Sequence, residues 1–281
     1  MKKPRTLLMV FLSVLLIIPA GACSSKSETV FMSDSARMVR DVRKASSERI
    51  TFCFIYKGKF PEIKLAGVDG ENLSGLSYSM ETASTSFKKA SVNGYQLGYC
   101  YLDVSGLSQK DEQTIKISKI LLNVDSESKE IVFDEPLTMY KGTENTNGGQ
   151  VSPGMIQVLA GEGMPITFSY NINEDMEILS FDPGVLFELE NMSITLEGRG
   201  DSLCPAEFPF KANAGQVLKI SGTITCSPFK TYMFVFSNSC LKYRCGEETY
   251  EEKFNLQLYG AGDAETVKQA VAEALEWQGG K

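Results

Sequence analysis

Apolar and polar residues alternate along several short stretches of the chain. Over residues 166–172 every second position is apolar, and residues 218–226 follow nearly the same period of two. A period of two with one apolar face is typical of a strand in a β-sandwich. Turn signals rich in Gly, Asp, Asn and Pro separate such runs, as at 68–70, 182–184 and 212–215. The pattern predicts an all-β fold.

Short segments of the first half of the chain recur in the second half. Residues 42–54 align without gaps on residues 158–170 and share Ile-Thr-Phe. Weaker matches follow in the same order, at 71–74 with 190–193, 113–118 with 216–221, 131–133 with 234–236, and 137–140 with 256–259. Together the matches predict two copies of one domain.

The predicted domains are separated by a segment rich in Gly, Asn and Thr. This linker covers 142–154, which places domain one at 28–141 and domain two at 155–281. The strand spacing resembles two tandem Ig-like or fibronectin-like β-sandwiches. The resemblance is one of architecture, because Gly98 stands two residues before Cys100, where the tyrosine corner of an immunoglobulin domain has Tyr.

Domain two is predicted to carry an insertion and a short C-terminal helix. The difference in residue number between a segment of domain one and its match in domain two is larger after 237–252 than before it. This increase predicts an insertion that holds Cys240 and Cys245. This insertion is either a binding loop stiffened by a disulfide or a solvated hairpin, and tolerated loop insertions favour the hairpin. Residues 263–277 have the apolar stripe of a helix, which we expect to pack against domain two; the alternative is a partner helix that presents Trp277.

The N-terminus has the organisation of an export signal. Lys2, Lys3 and Arg5 precede an apolar run at 7–18, which is shorter than the roughly 20 residues that span a bilayer. Small residues then lead to Cys23. The order predicts a removable signal peptide at 1–22.

The cleavage region resembles the lipobox of bacterial lipoproteins, although Ala20 stands where that motif usually has Leu. The resemblance implies a lipid on Cys23 and a polar tether at 23–27. It also implies an exported protein that is lipid-anchored to the cell membrane and faces the exterior or the periplasm. Plain secretion is the alternative.

Charge argues against nucleic-acid binding. The signal peptide takes three of the 28 Lys and Arg, so the mature chain has 25 of them against 35 Asp and Glu. Such a surface repels nucleic acid and anionic lipid headgroups, and no run of basic residues offsets it.

The chain contains no histidine. This excludes Ser-His and Cys-His nucleophile pairs and His-ligated metals. Ser-x-x-Lys occurs four times, but the companion motifs of penicillin-binding enzymes are missing. We therefore predict no catalytic residue, no cofactor and no metal site.

Six cysteines follow Cys23, namely Cys53, Cys100, Cys204, Cys226, Cys240 and Cys245. An even number in an exported chain predicts structural disulfides. Fifteen pairings exist for six cysteines, and the sequence leaves them open. Cys53 with Cys100 is the simplest pair within domain one, although the alternation puts Cys53 on the face opposite Phe52 and Phe54.

These observations favour a surface-anchored, non-catalytic module for binding or adhesion, with a protein or a glycan as its ligand. The alternative is an accessory or sensor subunit whose insertion and helix dock another envelope protein. An envelope hydrolase that uses carboxylates is the third hypothesis.

Overall fold

The computed structural model describes residues 27–42, 45–109, 114–141, 150–153, 163–198, 202–203 and 207–280. Strands dominate these residues, and they form two Ig-like sandwiches followed by one α-helix. The predicted all-β fold class is confirmed. The signal peptide, Cys23, Cys204 and most of the predicted linker lie outside the described residues.

The first sandwich contains eight strands and one 3₁₀ turn, Leu107–Gln109. The strands are β1 (Glu28–Phe31), β2 (Ala36–Asp41), β3 (Ser47–Lys57), β4 (Ile63–Glu71), β5 (Ser77–Ser84), β6 (Tyr95–Ser105), β7 (Thr114–Val124) and β8 (Glu127–Tyr140). One sheet has the order β1-β3-β6-β5 and the other β2-β8-β7-β4. This strand order is that of an immunoglobulin-type sandwich.

The second sandwich repeats this arrangement with two small additional strands. Its strands are β9 (Val151–Pro153), β10 (Met164–Ile172), β11 (Met176–Asp182), β12 (Glu188–Glu197), β13 (Ser202–Leu203), β14 (Phe210–Ala212), β15 (Val217–Thr225), β16 (Phe234–Cys245) and β17 (Glu248–Tyr259). One sheet has the order β13-β12-β15-β10-β9, and β14-β11-β16-β17 form the other. The helix α1 (Ala264–Gly279) ends the chain.

The alternation in the sequence corresponds to real inner and outer faces. Ile166, Phe168 and Tyr170 of β10 are buried in the second core, whereas Thr167 on the outer face remains half-exposed. The turn expected at 68–70 is wrong, because these residues continue β4.

Gly70 explains how β4 continues through a turn-like sequence. The register of β4 on β7 shifts there, and a Cβ on Gly70 would lie 1.9 Å from the Lys116 carbonyl oxygen. Glycine therefore permits a bulge and a close backbone approach at this point, where the sequence pattern alone predicts a turn.

The helix packs on the first sandwich, so the expectation that it packs against domain two is wrong. Its buried residues belong to the core of the first sandwich; they are Val267, Ala270, Val271 and Ala274. The reason lies in β3, whose two faces are both apolar, so that Cys53 and Ile55 need a cover outside the sandwich. The corresponding strand β10 has a polar outer face and needs none.

Segment 237–252 is a regular hairpin, without an added loop. It lies within β16 and β17, whose two-residue turn begins at Gly246 with a φ of 62°. This hairpin occupies the place that β7 and β8 hold in the first sandwich. The sequence match of 113–118 with 216–221 aligns β7 with β15, which belongs to the opposite sheet. This misalignment is the reason why the sequence predicts an insertion.

The strand β2 belongs to both sandwiches. Its residues 36–38 pair in parallel with 234–236 of β16, and its residues 39–41 pair in parallel with 138–140 of β8. One sheet of each sandwich thereby becomes part of a continuous eight-stranded sheet. The two sandwiches are consequently joined by main-chain hydrogen bonds, beyond the covalent connection.

Buried ion pairs reinforce this junction. Arg40 of β2 forms a salt bridge with Glu48 and donates a hydrogen bond to the carbonyl oxygen of Leu256 at 3.0 Å. Burial lowers the pKa of Arg40 and raises the pKa of Glu48, and their mutual attraction opposes both shifts. Lys253 of the second sandwich binds Asp41 at 2.8 Å.

The shared register of β2 sets the length of the molecule. Glu127 of β8 lies about five positions before Ala36 on this register, because the bulge of β8 against β7 takes up three residues. Cys245 of β16 lies nine positions after Met38. The separation of about 16 positions corresponds to about 50 Å at roughly 3.3 Å per strand residue. The β7–β8 turn and the β16–β17 turn therefore lie at opposite ends of the molecule.

The described residues contain no disulfide, and the pair predicted for domain one, Cys53 with Cys100, is not formed. Cys53 pairs with Tyr99 and Cys100 with Phe52, so the two thiols point to opposite faces of one sheet. Side chains that point apart cannot be bridged. Cys240 and Cys245 lie on the same strand, at a separation of about 16 Å.

We predict that Cys53 and Cys100 resist maleimide in the native protein and react fully after denaturation without reductant. Both side chains are fully buried, and burial raises the pKa of both thiols. Peptide mass spectrometry after labelling measures the reaction at each residue. A cross-linked peptide containing both residues would contradict the prediction.

The variant Arg40→Met is predicted to lower the free energy of unfolding by about 3 kcal/mol, because it leaves Glu48 buried without its partner. The double variant Arg40→Met/Glu48→Gln should recover part of this loss. Arg49→Met is the matched control, since Arg49 pairs with Asp103 at the surface and its loss should change stability little. Denaturant unfolding measures all three, and equal losses for Arg40→Met and Arg49→Met would show that the prediction is wrong.

Candidate functional site

Three turns of the second sandwich meet at the end of the molecule farthest from Ser27. We call this surface, formed by 173–175, 213–216 and 246–247, the distal pole. The amide of Gly215 donates to the Ile172 carbonyl oxygen at 2.7 Å, and the amide of Ala214 donates to Asp175 Oδ1 at 2.9 Å. These bonds fix the first two turns against each other.

Cys245 connects the third turn to the others. Its thiol lies 3.4 Å from Glu174 Oε2 and 3.6 Å from the Asp175 carbonyl oxygen. Burial raises the pKa of Cys245, and the hydrogen bond to Glu174 adds to this shift. The thiol is therefore held protonated, which argues against a role as a nucleophile.

The distal pole is acidic. Exposed carboxylates come from the first and third turns and from the start of β17; they are Glu174, Asp175, Glu247 and Glu248. Arg244 is already engaged by Glu177. Within the described ranges no group of three or more Cys, Asp or Glu side chains is placed to hold a metal ion. A surface of this charge attracts cationic partners and repels anionic ones.

Aromatic side chains pack in the strands that lead to the turns of the distal pole. The rings of Tyr243 and Tyr250 stack with their centroids 5.6 Å apart, and Tyr170 meets Phe254 edge to face at 4.9 Å. Burial raises the pKa of Tyr243, so its hydroxyl stays neutral. These packed strands hold the turns in place. Binding loops are commonly carried by a rigid scaffold of this kind.

The other candidate residues of the sequence do not come together as a site. Cys226 is buried near the junction, where Arg37 Nη1 lies 3.6 Å from its sulfur. Ser239 is buried in β16, while Lys242, three positions along the strand, is exposed on the opposite face. This Ser-x-x-Lys pair cannot act as a nucleophile and base.

Sequence reasoning missed the distal pole itself. The turn signal near 212–215 was visible, but nothing local indicated that it would lie beside 173–175 and 246–247. Within the described part of the chain, no helix has both the length and the apolar character needed to cross a membrane.

No protein-family model matches the chain, and no curated protein matches its sequence. Similar solved structures include the collagen adhesin CNA from S. aureus, at 10% identity over 79% of this chain and 95% of that one, with a TM-score of 0.25. A chimeric titin fragment has 9% identity over 83% and 97%, with a TM-score of 0.24. A protein of unknown function from Porphyromonas gingivalis has 7% identity over 83% and 99%, with a TM-score of 0.21. Similarity at this level supports no conclusion about function.

Proposed function

We propose that the chain is an elongated, non-catalytic binding module, held at the cell envelope by a lipid on Cys23, that presents its distal pole to a cationic partner. The observation that carries the proposal is the placement of Ser27 and the distal pole at opposite ends of the molecule. An anchor at one end places the other end about 50 Å away.

The start of the described chain is fixed at the end opposite the distal pole. Ser27 donates a hydrogen bond to Asp125 in the β7–β8 turn. Directly after it, Glu28 pairs with Lys57 at the end of β3. Ser27 lies four residues after Cys23. A lipid on Cys23 would therefore hold this end of the molecule at the membrane.

The junction supports a fixed spacing between the two ends. Domains joined only by a linker move relative to each other by default. Here β2 is hydrogen-bonded to both sandwiches, and the Arg40 and Lys253 interactions cross the same boundary. A module built in this way keeps its distal pole away from the surface to which it is anchored.

The structure favours this proposal over an accessory subunit that docks through its helix. The apolar residues of α1 are already buried on the first sandwich, and Trp277 packs partly against the same core. The absence of histidine from the sequence and the protonated thiols of Cys53, Cys100 and Cys245 support a non-catalytic role.

Epitope insertion tests the orientation. A short epitope between Gly246 and Glu247 should bind antibody well on spheroplasts that display the anchored protein, because this turn faces away from the membrane. The same epitope between Asn93 and Gly94 should bind much more weakly, since that turn faces the bilayer. Both are exposed turn positions, where insertions are best tolerated.

The Cys23→Ala variants with the same insertions provide the control, because the released proteins should bind the antibody equally in solution. Palmitate labelling should be lost in these variants. Equal antibody access to both epitopes on the anchored protein would refute the orientation. Persistence of the label without Cys23 would refute the anchor.

Charge at the distal pole is tested with oligolysine as the probe. The variant Glu174→Gln/Glu247→Gln should weaken oligolysine binding about tenfold at low salt, because two of the exposed carboxylates are removed. The control Glu81→Gln/Glu130→Gln makes the same charge change on the first sandwich, at two other exposed positions. Isothermal titration calorimetry measures the affinities, and equal weakening in both pairs would exclude a specific role for the distal pole.

A further inference from the structure

The end of the molecule that holds Ser27 is basic, in contrast to the rest of the chain. We call this surface, formed by Ser27, the loops 58–62 and 85–94 and the turn 125–126, the proximal pole. Four exposed lysines lie on its two loops or directly beside them: Lys57, Lys59, Lys88 and Lys89. None of the four forms a salt bridge with a described residue.

The two loops that carry these lysines are adjacent. Lys57 pairs with Tyr95 across β3 and β6, and its Nζ lies 5.3 Å from the centroid of that ring. Val92 bridges to Tyr95 and closes the base of the second loop. The lysines of both loops therefore share one end of the sandwich, although about 30 positions separate them in sequence.

Two acidic side chains of the proximal pole pair with neighbouring lysines, and two accept hydrogen bonds from neutral hydroxyls. The pairs are Glu62 with Lys64, Glu127 with Lys129, Asp125 with Ser27, and Glu28 with Tyr95. The first pair is 2.6 Å apart and the second 3.9 Å. Glu28 and Asp125 keep their negative charge, and Lys59 attracts the carboxylates of Glu62 and Asp125. With Lys64 and Lys129 included, six lysines in and beside the pole outnumber its four carboxylates, in a chain whose net charge is −7.

The second loop also presents an aromatic ring at its tip. Thr85 and Ala90 are buried, whereas Phe87 between them is 36% exposed and is followed directly by Lys88 and Lys89. The amide of Ala90 donates to the Phe87 carbonyl oxygen at 2.8 Å, and the amide of Phe87 donates to Thr85 Oγ1 at 3.3 Å. The tip is held in place by its two buried ends.

An aromatic residue next to a local excess of lysines is the composition that binds at a membrane interface. The chain outside the described residues points to the same partner. Four peptide bonds separate Cys23 from Ser27, so the proximal pole can lie at most about 14 Å from a lipid on Cys23. A tether this short lets the pole approach the bilayer to within the Debye length of about 8 Å, over which anionic headgroups attract cations.

We propose that the proximal pole is a docking surface for an anionic lipid bilayer. The lysine ammonium groups bind headgroup phosphates, and Phe87 enters the interfacial region. The proposal rests on the proposed anchor at Cys23, which would bring this pole to the membrane. Docking would then hold the sandwiches upright, with the distal pole facing away from the bilayer.

The test uses the mature chain with Cys23→Ser, which has no acylation site, and sedimentation with vesicles. Binding is expected to phosphatidylcholine vesicles with about one third phosphatidylglycerol, to fall as salt is raised, and to be absent from pure phosphatidylcholine. The variant Lys88→Gln/Lys89→Gln should lower the partition coefficient roughly twentyfold. Phe87→Ser should lower it about fivefold.

The matched control is Lys211→Gln/Lys242→Gln, which removes two exposed lysines of the second sandwich and should leave binding unchanged. Circular dichroism checks that each variant is folded. Equal loss in the control, absence of binding to anionic vesicles at low salt, or full competition by inorganic phosphate would overturn the proposal. Because the protein is not acylated, these outcomes are independent of palmitate labelling at Cys23, so failure of the docking surface and failure of the anchor are distinguishable.

Discussion

The parallel pairing of β2 with both β8 and β16 is the interaction on which the rest of the structure depends. A strand of six residues is divided between two sandwiches, and it runs in the same direction as the strands on both sides. This direction places the β7–β8 and β16–β17 turns at opposite ends. It also brings Arg40 and Asp41 against the second sandwich, where Leu256 and Lys253 bind them. Without this pairing the two sandwiches would lose the main-chain hydrogen bonds that join them, and only the linker, α1 and side-chain contacts would connect them.

The two sandwiches differ in the polarity of the outer face of one central strand, β3 in the first and β10 in the second. β3 is apolar on both sides, and α1 provides the second layer that it requires. The corresponding strand of the second sandwich carries Thr167 and Ser169 on its outer face, and no helix covers it. The helix therefore follows the second sandwich in sequence but completes the core of the first. The hydrogen bonds from Thr231 to Glu273 secure this arrangement from the loop that precedes β16.

Charge is distributed along the long axis of the molecule. The proximal pole carries more lysines than carboxylates, and the distal pole carries carboxylates around Cys245. A net negative charge keeps such a module soluble and away from anionic surfaces. A local basic end can still meet an anionic surface, because screening limits electrostatic attraction to nearby charges. The basic end can thus bind an anionic surface while the acidic end binds a cationic partner. This difference is the physical basis of the orientation that we propose.

The sequence by itself determined the local features of this protein. The period of two was enough for the strands and the two-sandwich fold, and Asp263 marked the start of α1, where it caps the amides of Glu265 and Thr266. These features depend on neighbours along the chain, such as alternating faces and helix capping. Only the tertiary structure decided which sandwich the helix covers, that Cys53 and Cys100 face apart, and that Lys59 joins Lys88 at one end. These outcomes depend on the pairing of strands that are distant in sequence, which short identities such as the 113–118 match do not encode.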